Sequence, residues 1–202
     1  MPRVKANGVE LYYEEEGQGF PIIWAHGFWG TNKDWSDQLA FFKERYRVIA
    51  YDARGHGRSD CPANPDVYSQ EILVDDLAGL MDCLGVQRAY VGGFSMGGNV
   101  ALHFAIKYPD RCRAFIIVDA GMGSSELGSY IAYHSELADK IERLGVERIA
   151  GEVFESEEWA GSQLRETQLR QFLENSPVGL VNTLRGVQLK RPTIFAMAPD
   201  LT

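Results

Sequence analysis

The chain has 202 residues, of which 45% are hydrophobic, 24% charged and 11% aromatic, a composition that supports one packed core and excludes disordered and fibrous classes. Its formal net charge of −8 works against nucleic acid or an anionic membrane as partner. Cys61, Cys83 and Cys112 have neither CxxC nor Cys/His spacing, so no disulfide framework or zinc site is indicated; no apolar run resembles a signal peptide or a membrane span, and a cytoplasmic location is expected.

Residues 4–15 read as a hairpin, because Asn7-Gly8 is a strong two-residue turn and Val9, Leu11 and Tyr13 alternate with more polar neighbours. Phe20-Pro21-Ile22-Ile23-Trp24-Ala25 is apolar throughout, the signature of a strand buried on both faces, and it ends in His26-Gly27-Phe28-Trp29-Gly30. Residues 34–42 predict a helix. Residues 46–51 predict a second buried strand, running into the glycine-rich, charged loop Asp52 to Asp60. Ser69 caps a helix whose apolar positions Ile72, Leu73, Leu77, Leu80, Met81 and Leu84 recur at three and four, stopped by Gly85. Residues 89–92 predict a short strand and residues 98–108 a helix ended by Pro109.

Between that strand and helix lies Gly93-Phe94-Ser95-Met96-Gly97. A serine between glycines at a strand-to-helix turn reads as a nucleophile: Gly93 and Gly97 have no Cβ to obstruct a tight turn, and the turn lifts Oγ clear of the sheet. It also puts a helix N-terminus directly behind the serine, where free amides and the dipole favour developing negative charge. Ala114-Phe115-Ile116-Ile117-Val118 is a further buried strand, ending at Asp119. Residues 126–189 show helical stripes (Tyr130, His134, Leu137, Ile141 and Leu144; then Leu164, Leu169, Phe172 and Leu173) and no convincing strand. Residues 192–198 return to strand texture. The expected layout is a core over 1–125, a helical lid over 126–189 and a return to the core over 190–202. Alternating strands and helices of this kind predict an α/β fold with a mostly parallel sheet, helices on both faces and a ligand site off the carboxyl ends of the strands.

With these motifs in that order, the chain resembles the α/β-hydrolase fold superfamily in its form with a helical lid. His26-Gly27-Phe28-Trp29-Gly30 looks like the family's His-Gly-x loop, residues 52–59 like its Asp-x-Arg-Gly-x-Gly-x-Ser loop, residues 93–97 like its nucleophile elbow, and residues 192–198 like the strand leading to the triad acid. The resemblance implies Ser95 as nucleophile and the backbone N–H groups of Phe28 and Met96 as oxyanion donors, with His26, Gly27, Gly93 and Gly97 in support and Trp29 a candidate for lining the substrate pocket. It implies hydrolysis of an ester or related acyl substrate, a small molecule, with no metal or organic cofactor. Serine rather than aspartate at position 95 disfavours the haloalkane dehalogenase and epoxide hydrolase branches, whose members use a carboxylate; carbon–carbon bond hydrolysis and perhydrolase activity stay open, as does a non-catalytic binding protein on the same scaffold.

The pattern breaks at the remaining triad members. The family order is Ser, then Asp or Glu, then His, yet the four histidines are His26, His56, His103 and His134, so none follows position 134. The family's Gly-x-x-Asp is replaced by Ala198-Pro199-Asp200, which leaves Asp200 as candidate acid, one place early, and Asp119 as its rival. His134, on the expected lid, is the candidate base. The expectation is an incomplete α/β hydrolase, impaired as written and stopping before the catalytic histidine.

Overall fold

The computed structural model describes residues 2–120, 127–190 and 192. Asn7 and Gly8 both take positive φ, 46° and 83°, the pair of left-handed residues that a tight hairpin turn demands. They join β1 (Arg3–Ala6) to β2 (Val9–Glu16), with Ala6 opposite Val9. Four further strands follow: β3 (Pro21–Ala25), β4 (Arg47–Tyr51), β5 (Ala89–Phe94) and β6 (Cys112–Val118). The sheet order is β1-β2-β4-β3-β5-β6. The first two strands are antiparallel to their neighbours, and β4, β3, β5 and β6 run parallel.

Parallel neighbours need crossovers, and each is helical: α1 (Ser36–Phe42), α2 (Gln70–Cys83) and α3 (Met96–Lys107). The Ser69 hydroxyl accepts the Ile72 N–H at 3.1 Å to cap α2. The start of the expected 34–42 helix is instead a 3₁₀ turn, Asn32–Trp35, with Thr31 accepting from the Lys33 amide. The helix expected from residue 98 begins at Met96, because the turn at Ser95 releases the chain straight into helical geometry.

The period of two along each strand divides the core. Ile22, Trp24, Val48 and Ala50 point to one face, where they meet Trp35 and Leu39 beside α1. Ile23, Ala25, Ile49, Tyr51 and Val91 point to the other, under Leu73 and Leu77 of α2 and Val100 and Phe104 of α3. Burial on both faces explains the uninterrupted apolar runs in β3 and β4. β6 is the last strand of the sheet among the described residues, and its Phe115, Ile116, Ile117 and Val118, expected to be buried, are exposed.

Residues 127–190 hold no strand. They form α4 (Leu127–Leu144), α5 (Val146–Phe154), α6 (Arg165–Glu174) and α7 (Pro177–Thr183), the last continuing into a π-helical turn, Leu184–Gln188. The stripe expected on α4 buries Leu137 and Ile141 but leaves Leu144 exposed at its end. The stripe expected on α6 holds for Leu169 and Phe172, which pack on the core, and is corrected for Leu164 and Leu173, which are exposed; the inward face also carries Gln168, Gln171 and Asn175. That spacing is a helical face in which polar residues outnumber apolar ones. The expected strand beyond Pro192, and Asp200, lie outside the described residues. Among the described residues no helix is long and apolar enough to cross a membrane.

Candidate functional site

Ser95 stands between β5 and α3 with φ 50° and ψ −108°, a conformation that costs a non-glycine residue on the order of 1–3 kcal/mol. Its surroundings enforce it. The Ser95 amide donates to the Val118 carbonyl at 2.9 Å, and the Ser95 carbonyl accepts from the Asn99 side chain at 3.0 Å. A Cβ on Gly93 would overlap the Gly97 carbonyl, and one on Gly97 would overlap the Ala25 carbonyl. Strand, turn and helix therefore approach one another at distances that admit only glycine on either side of the serine.

The loop after β3 reaches the same point from the neighbouring strand. A Cβ on Gly27 would meet the Phe94 ring at 2.7 Å and stand 3.6 Å from the Ser95 Cβ. The His26 ring lies 2.7 Å through Nδ1 from the Gly27 carbonyl and 2.9 Å through Nε2 from the Ala53 amide. A carbonyl can only accept and an amide can only donate, so Nδ1 carries the proton and Nε2 accepts. With both nitrogens engaged and 1% of its surface exposed, His26 ties two loops together and cannot serve Ser95 as base. The Gly30 amide closes a turn on the Gly27 carbonyl at 3.1 Å. Within that turn the Phe28 amide donates to no protein group among the described residues, and neither does the Met96 amide at the head of α3.

The loop at residues 52–60 fixes the end of β4. Asp52 accepts the amides of Asn32 at 2.7 Å and Arg58 at 2.8 Å. The Ser59 hydroxyl donates to the Asp52 carbonyl and accepts from the Tyr12 amide. Arg54 forms a two-pronged pair with Asp76, at 2.6 and 2.8 Å, with side chains 4% and 1% exposed. His56 is fully buried with its ring centroid 5.0 Å from that of His26; burial first, and then His26, push its pKa down to about 3. It is neutral and structural at pH 7.

Ser95 opens on a cavity of about 780 Å³. Phe28, Trp29 and Phe94 line it from the sheet side, with Val118, and Tyr133, His134, Trp159 and Leu164 from the helical side. Trp29, at φ 57°, both lines the cavity and packs edge-on against Phe154 and Phe172, at 6.0 and 5.8 Å between centroids. Asn175 holds this corner: its Nδ2 donates to the Trp29 carbonyl at 2.7 Å and its Oδ1 accepts the Gly57 amide at 2.8 Å.

One wall is polar. The Trp29 indole donates to Gln168 Oε1 at 3.2 Å, and Gln168 Nε2 donates to Asp34 Oδ1 at 3.3 Å. Burial pushes the Asp34 carboxyl up. Gln171 lines the cavity beside them. Sequence reasoning missed Asp34, Gln168 and Gln171. The available signal was the spacing of Gln168, Gln171 and Asn175 on one face of α6, which reads equally as a solvated stripe.

The structure thus brings Ser95, Phe28, Trp29 and His134 to one cavity, with Met96 buried behind the serine and His26, Gly27, Gly93 and Gly97 shaping the loops around it. His134 donates from Nδ1 to the Tyr130 carbonyl at 2.8 Å, and its ring lies tilted against the Tyr130 ring, 3.9 Å between centroids. In that tautomer Nε2 is the basic nitrogen. His103 lines a different cleft, with Tyr68 and Gln70. Asp119 is exposed at the end of β6, with φ 47°.

Residues 21–196 match the model of a family described as alpha/beta hydrolase fold. A protein of Bacillus subtilis (strain 168), provisionally named 2-succinyl-6-hydroxy-2,4-cyclohexadiene-1-carboxylate synthase, is 31% identical over 97% of this chain and 75% of its own length. An epoxide hydrolase of Caballeronia sordidicola is 37% identical over 55% of this chain, which corresponds to 34% of that protein. Among solved structures, a thermophilic esterase from Thermogutta terrifontis superposes with a TM-score of 0.85 at 31% identity, over 100% of this chain and 77% of that one.

Proposed function

The chain belongs to the alpha/beta hydrolase fold family, and from that premise we propose that it is of serine-hydrolase type, acting on an ester or related acyl substrate with Ser95 as nucleophile. The observation that carries this reading is the left-handed backbone of Ser95 at a strand-to-helix turn, opening on a largely apolar cavity beside the Phe28 loop. Ser95 Oγ adds to the substrate carbonyl carbon, and the electron pair of the C=O bond moves onto oxygen. The amides of Phe28 and Met96 meet that charge with fixed dipoles and no solvent rearrangement. Collapse of the adduct expels the alkoxide, which takes up the proton released by Ser95 and departs as alcohol, and leaves an acyl-Ser95 that water hydrolyses to the acid and free Ser95.

Serine at position 95 supports acyl chemistry over epoxide opening, for which the resembling branch uses a carboxylate. The Ser95 proton needs an acceptor. His26 and His56 are committed to loop structure, whereas His134 shares the cavity and is held in the tautomer with a basic Nε2. A second reading therefore has His134 take the proton.

A fluorophosphonate probe tests the first reading: covalent labelling is expected in the unmodified chain and absent in Ser95→Ala. Equal labelling of both proteins overturns it. For the second, His134→Ala is expected to slow short-chain ester hydrolysis by about a hundredfold or more, and an unchanged rate removes His134 from the mechanism.

A further inference from the structure

Gln171 is 2% exposed and lines the cavity that Ser95 opens on, yet neither its Oε1 nor its Nε2 has a hydrogen-bond partner among the described residues. Its amide approaches Asp34 as a donor and so favours the carboxylate, but short of full hydrogen-bond geometry. Protein interiors leave few carboxamides unpartnered, and one set in a cavity wall is completed by what enters the cavity. The neighbouring Gln168 is already engaged on both sides, by the Trp29 indole and by Asp34 Oδ1. Of the polar groups in contact with Gln168 on this wall, the Asp34 carboxyl faces the cavity beside the unpartnered Gln171 carboxamide.

Resting on the serine-hydrolase reading, we propose that Asp34 and Gln171 form a polar subsite for a neutral hydroxyl group on the substrate, Asp34 accepting its O–H and the Gln171 amide donating to its oxygen. A hydroxyl fits because it donates and accepts at once. A carboxylate does not: it would meet Asp34 as a like charge, and Lys33, a cation in the cavity lining, is paired with Glu174 at 2.9 Å. A primary ammonium, which only donates, leaves the Gln171 N–H without an acceptor. The remaining walls, Phe28, Trp29, Phe94, Val118 and Leu164, suit an apolar stem between the hydroxyl and the acyl group.

The test measures binding, so that it does not depend on turnover. Methyl hexanoate, methyl ω-hydroxyhexanoate and monomethyl adipate, alike in chain length, are titrated into the Ser95→Ala protein by calorimetry and by the fluorescence of Trp29, Trp35 and Trp159, which line the cavity. The hydroxy ester is expected to bind about tenfold more tightly than methyl hexanoate, with monomethyl adipate the weakest of the three. Gln171→Leu, confirmed folded by thermal melt, is expected to abolish the difference between the first two. Equal affinity for them, tightest binding of the adipate, no binding of any, or a preference that survives Gln171→Leu each overturns the subsite. If that variant fails to fold, the three affinities of the parent protein decide alone. Fluorophosphonate labelling is read separately: labelling without hydroxyl preference sinks the subsite and leaves Ser95 standing, and the reverse result sinks the nucleophile.

Discussion

The strand-end loops and the helical segment over residues 127–190 use polar side chains in opposite ways. In the loops they are buried and engaged: Asp52, Ser59 and His26 bind backbone groups of neighbouring segments, and the Arg54–Asp76 pair ties the 52–60 loop to α2. In the helical segment the ion pairs sit in solvent, as between Arg185 and Asp139 or Glu142 and between Arg170 and Glu166, while the carboxamide of Gln171 is buried without a partner. The contrast separates two tasks. Loops cross-linked by side-chain-to-backbone bonds hold their backbone in fixed geometry, even though His56 Nε2 and Asn32 Nδ2 there have no partner among the described residues; a carboxamide left unpartnered in a cavity wall is open to a ligand.

Breaking the loop network carries the largest expected effect. Asp76→Ala leaves the Arg54 guanidinium buried and unpaired, which is expected to cost about 3–5 kcal/mol in urea denaturation; a loss below about 1 kcal/mol would mean that the loops are no more tightly held than the helices. Next is the pH response of His56. Its folded pKa of about 3 lies below the ordinary value near 6.5, so between those values the unfolded chain takes up a proton that the folded chain refuses. Stability present at neutral pH is lost as pH falls through that window, by about 2 kcal/mol between pH 7 and pH 5. Asp34 and Asp76, whose carboxyls are raised by burial, act with the opposite sign, so the measurement is the difference in slope between the parent and His56→Gln. Identical slopes would show that His56 charges freely. The smallest effect is expected in the helical segment: Arg185→Ala removes two contacts from a side chain 40% exposed and should change stability by less than about 1 kcal/mol. A larger loss would erase the distinction between the two regions.

The same distinction decides what could be read from sequence. The loops are written in residue types with few alternative uses. Glycines that flank Ser95, the Asn7-Gly8 turn and uninterrupted apolar strands each have a short list of physical explanations, and the parallel sheet with its elbow was legible from them. The helix start at Met96 was placed two residues late because propensity rules see glycines at 97 and 98, whereas the turn geometry at Ser95 dictates the start. On α6, hydrophobicity rightly nominated Leu169 and Phe172, wrongly expected Leu173 to be buried, and passed over Gln168 and Gln171. Two glutamines spaced three apart look the same whether they face water or a ligand. Asp34 was legible only as the start of a helix, since its role depends on α6, more than 130 residues further along the chain. The descent of the chain from the α/β-hydrolase lineage was legible from four motifs, and residues 21–196 match that family's model.

The corner held by Asn175 governs how the cavity can admit a substrate. One carboxamide at the end of α6 grips the Trp29 carbonyl and the Gly57 amide together, so α6 cannot swing outward without dragging the loop that carries Phe28 with it. That end acts as a fulcrum. On the far side of the cavity Tyr133 of α4 is half exposed, and Trp159 and Leu164 belong to the short connection between α5 and α6. A shift in that connection would leave the Asn175 corner, and with it the Phe28 loop, untouched.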